Sequence, residues 1–223
     1  MKKSTLSIPI LLCILFVGGL GRSASAQALD ISSGGAPTIT GSLGGSVTGS
    51  SSVLSNLVVT LNFGELSPAN ISNIVKVVVP IAVRSNGPYR VVVSYTGTSG
   101  VSAQAVQRTD IGFGAQNLRA MGSNSRLCTR SNHIFYAPFT NDPATSRTIA
   151  ANGRAAYPGT LNNLGVSTTI LTGPRLSNGS NNRELNDGYI FDTIFAITPQ
   201  YFAPGTTNAT LTFTISAGPN VPC

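Results

Sequence analysis

The side chains of this 223-residue chain that could carry out chemistry are few: one histidine, seven carboxylates and three cysteines. His133, in "SNHIFYAPF", is the sole histidine. A zinc site built on imidazole needs about three or four ligands, and the cysteines lie too far off in sequence to complete one. His133 therefore reads as a loop or edge histidine held by local hydrogen bonds. Serine is plentiful, but the nucleophile-elbow pattern Gly-x-Ser-x-Gly does not occur. The acids are Asp30, Glu65, Asp110, Asp142, Glu184, Asp187 and Asp192. A glycosidase needs two carboxylates facing one another across a cleft. Asp187 and Asp192 flank the start of one strand, with Asp192 on its less buried side, and roles in turns and loops are the expectation for all seven. "NDPATSRTIAANG" lacks the acidic spacing of a calcium loop. No catalytic, cofactor-binding or metal-binding residue is expected, and the chain reads as non-enzymatic.

The N-terminus has the layout of an export signal. Lys2 and Lys3 precede the apolar run "LSIPILLCILFVGGL", and "SASAQA" supplies small residues for cleavage after Ala26, with Ala28 the second choice. Residues 1–26 are read as a signal peptide that takes Cys13 with it. The 197 residues that follow carry 11 basic and 7 acidic side chains, scattered singly along the chain. That scatter argues against a nucleic-acid surface, which needs clustered Lys and Arg. A secreted, periplasmic or cell-surface location is expected, with no membrane span after cleavage. In such a compartment Cys128 and Cys223 are a disulfide candidate. An intramolecular bridge is favoured over two free thiols or an intermolecular bridge through Cys223. Asn70, Asn178 and Asn208 each open an Asn-x-Ser/Thr triplet, which marks surface exposure at most.

The elements that would position these residues are strands. Charged residues are sparse, while β-branched residues, Gly and Pro are frequent. Residues 27–52 form a Gly/Ser-rich leader. Within it Ile39, Gly41, Leu43, Gly45 and Val47 fall on one face if extended, so the segment could act as an added, donor-like strand. "VLSNLVVTLNFG" places Leu57, Val59, Leu61 and Phe63 on one face. "IVKVVVPIAVRSN" does the same with Val75, Val77, Val79, Ile81 and Val83, and Pro80 predicts an edge or a bulge. "YRVVVSYTG" follows after a turn at 86–88, and the two runs could form a hairpin. A strand pair closes the chain, "YIFDTIFAI" and "NATLTFTIS" joined by a turn in "APGTTN", the second strand with Thr on its outer face. About eight or nine strands without a helix-period stretch predict an all-β, antiparallel β-sandwich as a single domain over 53–223. An outer-membrane barrel would show longer alternation and aromatic girdles.

"LNFGELSP" at 61–68, "NLRAMG" at 117–122 and the closing "YIFDTIFAITPQYFAPGTTNATLTFTIS" resemble bacterial spore-coat protein U-like and pilin-like secreted domains. The resemblance touches about a third of the mature chain. It implies an immunoglobulin-like sandwich exported by a chaperone–usher route, in which a neighbour's N-terminal segment fills a groove. The face Ile39–Val47 is where this chain would supply such a donor. The cysteines depart from the family's early-strand disulfide, and "AGPNVPC" runs past the last strand. The expected role is a structural or adhesive cell-surface or extracellular subunit, pilin-like or coat-like, with other subunits or itself as partner. A glycan- or matrix-binding module is the alternative.

Overall fold

The computed structural model describes residues 29–53, 55–66, 74–98, 106–121, 128–176, 188–198 and 205–223. Thirteen strands form among them: β1 Leu29–Ser33, β2 Thr38–Thr40, β3 Ser46–Val53, β4 Asn56–Leu66, β5 Val75–Ser85, β6 Tyr89–Thr98, β7 Ile111–Ala120, β8 Ile134–Phe135, β9 Thr148–Ile149, β10 Ala155–Ala156, β11 Thr168–Gly173, β12 Gly188–Ile197 and β13 Gly205–Ala217. One sheet runs β1-β5-β12-β7, with β2 beside β1 on β5. The other runs β3-β4-β13-β6-β11-β8, and β9 and β10 make a small hairpin. All pairings are antiparallel. The fold is an all-β sandwich, as the alternation predicts.

The alternating faces of the strands build the core between the sheets. Ala209, Leu211, Phe213 and Ile215 of β13 are buried, as are Phe191, Phe195 and Ile197 of β12. The Thr row of β13 points outward, where the Thr60 and Thr210 hydroxyls meet at 3.1 Å and Thr214 donates to Asn56 Oδ1 at 2.7 Å. The two closing runs are not paired with each other. β12 lies between β5 and β7, and β13 lies between β4 and β6 in the other sheet. β13 alternates between a buried and a wet face, whereas β12 is buried on both faces, with Ile194 and Ala196 covered on the side opposite Phe191 and Phe195. β5 and β6, which the sequence joins as a hairpin, likewise lie in different sheets. The chain turns a corner at residues 86–88, and Pro88 O then accepts from Gly218 N beside the β6–β13 ladder.

Pro80 sits in an interior strand, opposite Asp192 of β12. The interruption appears on its other side. β1 ends opposite Ile81 and β2 begins opposite Val78, while Gly34 N donates to Pro80 O at 2.8 Å. A proline cannot donate to a ladder, so the neighbouring strand breaks into two pieces there.

Between β7 and β11 a long excursion folds over the first sheet. Phe113 N donates to Gly159 O and Ala115 N to Phe139 O, which covers the β7 edge. Two glycines permit this approach: a Cβ on Gly114 would stand 1.9 Å from Asn141 O, and one on Gly112 2.5 Å from the Tyr157 ring. The excursion holds a single helical turn, α1 Pro143–Ser146, capped by the Asp142 side chain on Ala144 N. Lys76 pairs with Asp142, and Arg154 with the buried Asp110 at 3.0 Å.

Candidate functional site

A bulge in β7 is the starting point. Ile190 pairs with Arg119 and Asp192 with Gln116, so Asn117 and Leu118 together oppose one residue of β12. Asn117 adopts φ 60°, the only positive φ outside glycine among the described residues. Asn tolerates this left-handed conformation better than most residues because its amide can bond locally. Here Asn117 Nδ2 donates to Asp192 Oδ2 at 2.7 Å. Arg119 Nη1 donates to Asp192 Oδ1 at 2.7 Å and to Asn117 O at 3.2 Å. Asp192 is thus a buried mid-strand carboxylate with both oxygens engaged. That differs from the turn or loop role expected of it, because the bulge folds β7 side chains over the outer face of β12. Bulges of this kind re-aim side chains and recur beside binding sites.

Next to the bulge lies a depression of about 310 Å³ lined by Asn117, Leu118, Arg130, His133 and Phe135. Arg130 opens a short 3₁₀ turn, Arg130–Asn132, and its Nη1 donates to Leu118 O at 3.3 Å. His133 follows, with Nδ1 3.3 Å from Arg130 O. Its ring lies 4.7 Å from that of Tyr189 and 5.8 Å from that of Tyr89. Gly173 makes the room, since a Cβ there would come within 2.6 Å of both His133 Cδ2 and Tyr89 Cζ. Burial lowers the His133 pKa to about 4, against the opposing pull of the Arg130 and Thr129 backbone groups. The ring is therefore neutral at neutral pH. Its Nε2 and the hydroxyl of Tyr89 are buried, with no hydrogen-bond partner among the described residues. Burial, with the neighbouring Tyr189, holds the Tyr89 pKa well above the ordinary phenol value. Phe135, half-buried, meets Phe191 edge-on at 6.1 Å.

Cys128 and Cys223 form a disulfide with a Cα–Cα distance of 4.9 Å. It fastens the C-terminal tail beside the segment that carries Arg130 and His133. Tyr189 OH donates to Cys128 O at 3.0 Å, and Asn132 Nδ2 to Pro222 O at 3.1 Å. The tail, the disulfide and two tyrosines thus hold one rim of the depression.

The five residues of the donor-like face do not share a strand. Ile39 lies in β2 of one sheet and Val47 in β3 of the other, and both pack against the core. Leu43 stands exposed between them. Gly41, at φ 77°, makes the turn, and a Cβ there would stand 2.2 Å from Ile74 O. The chain bends at 41–45 and crosses from sheet to sheet on its own sandwich. Asn208 is in β13; Asn70, Asn178, Glu184 and Asp187 lie outside the described residues. Sequence reasoning placed no functional weight on Asn117, Arg130 or Phe135. The signal that could have marked the bulge is "GFGAQN", two glycines and an asparagine inside a strand. No family model matches the chain, and no curated protein or solved structure does so either.

Proposed function

We propose that the chain is an exported, non-enzymatic β-sandwich that serves as a structural or adhesive subunit at the cell surface or outside the cell, and that copies associate through β3. The observation that carries this reading is the contrast between β3 and the other sheet edges. β7 is covered by the excursion, β8 is two residues long, and β1 and β2 are short pieces. β3 spans eight residues, "SVTGSSSV", and pairs only with β4 among the described residues. It contains no charge and no proline, the usual devices that keep an edge from pairing. A second copy suits this edge, because an uncharged strand meets itself antiparallel without like-charge repulsion, and two-fold dimers are the commonest oligomers. The signal-like N-terminus, the disulfide and the resemblance to spore-coat and pilin-like domains point to an oxidising compartment outside the cytoplasm.

Light scattering on the mature chain tests the reading. A concentration-dependent rise in mass is expected, abolished in the Ser46→Lys/Thr48→Lys variant. A monomer at all concentrations refutes association through β3.

A second reading, a glycan- or matrix-binding module, is favoured by the depression beside the β7 bulge. It combines an aromatic ring, a guanidinium and an imidazole in one place.

A further inference from the structure

Building on the glycan-binding reading, we infer that the depression formed by Arg130, His133, Phe135 and the Asn117–Leu118 bulge takes one carboxylate-bearing sugar residue, a uronic acid. At about 310 Å³ it stands at the lower end of ligand cavities and suits a single ring with the rest of a chain in solvent. The charge selects an acid. Arg119 and Asp192 neutralise one another across 2.7 Å, and Arg130, which lines the depression, makes no ion pair among the described residues. Arg130 is exposed, and one of its nitrogens is held by Leu118 O. A guanidinium has five donors in a planar fork, so this arginine keeps the edge needed for two parallel bonds to a carboxylate.

The other groups select a sugar over a bare anion. His133 contributes its ring to the wall of the depression, while its Nε2 is buried and has no hydrogen-bond partner among the described residues. Phe135 offers apolar ring surface for the C–H face of a pyranose. Contacts within the fold position the lining groups before any ligand arrives: His133 packs against two tyrosine rings, its segment is joined to the C-terminal tail by the disulfide, and the Asn117 side chain is bonded to Asp192. Preorganisation of this kind lowers the ordering cost of binding.

The test is calorimetric titration of the oxidised mature chain with methyl glucuronide and with methyl glucoside, at pH 7 and low salt. The acid should bind about tenfold or more tightly than the neutral sugar, the ratio that one charge-assisted hydrogen-bond pair supplies. Arg130→Gln should remove that preference, and Arg130→Lys, which keeps the charge without the fork, should retain only part of it. His133→Gln should weaken both sugars. Equal binding of the two sugars overturns the carboxylate inference and leaves the glycan reading standing. Binding of neither, together with no binding of acidic or neutral oligosaccharides, overturns both. Acetate competing as well as methyl glucuronide overturns the sugar and leaves a simple anion site.

Discussion

Acidification should destabilise this fold in a window set by His133. The folded protein holds that imidazole at a pKa of about 4, whereas an unfolded chain titrates it near 6.5. Between those values the unfolded state binds a proton that the folded state refuses, so falling pH favours unfolding. The contribution is fully present above about pH 6.5 and is lost as pH drops to about 4. Linkage gives a loss of about 1 kcal/mol between pH 7 and 5.5, and about 3 kcal/mol between pH 7 and 4. Urea unfolding at pH 7, 5.5 and 4 measures it, with His133→Gln as the reference. Every other titratable group is common to the two proteins, so the difference between the two curves isolates the histidine. Wild type should lose about 3 kcal/mol more than the variant over the whole range. Parallel losses in the two proteins would refute the reasoning, because His133 would then be open to solvent in the folded state.

Cys223→Ser opens a loop of 95 residues in sequence separation and should cost about 4–5 kcal/mol in urea unfolding on the chain-entropy account; a loss under about 1 kcal/mol would mean that the tail is held without the bond. Gly114→Ala drives a methyl group onto Asn141 O and should destabilise by about 1–3 kcal/mol, with earlier proteolysis in 136–165 as the sign that the excursion has lifted from β7. Intact-mass analysis of the exported protein should give Gln27 as the first residue; a chain retaining Met1 would contradict export through a cleaved signal.

The inward faces were legible because a period of two is a direct consequence of strand geometry. Leu57, Val59, Leu61, Phe63, Phe191, Phe195, Leu211 and Phe213 are all buried where alternation puts them. Which strands share a sheet was not legible, since alternation marks the buried face and is silent about the neighbour. That is why β12 and β13 read as a pair, and β5 and β6 as a hairpin, when each pair is split across the core. Pro80 announced a defect, but the missing N–H left open whether β5 itself or its neighbour would give way. The site was harder to foresee. Asp192 looked like a strand-end acid until the bulge at Asn117 brought two β7 donors onto it. His133 was read as a locally bonded loop residue, and its Nδ1 does lie near Arg130 O. Its burial between two tyrosines comes from Gly173 and the β11 strand, forty residues downstream, and local sequence carries no trace of that contact.

Hydrogen exchange resolved to the β3 amides, compared between dilute and concentrated mature protein, tests the subunit reading most directly. Association through this edge predicts that amides of 46–53 become protected only at high concentration, while β4 and β13 stay protected throughout. Unchanged exchange in 46–53 in a sample that light scattering shows to be assembled would contradict the account, and would place the contact between copies elsewhere.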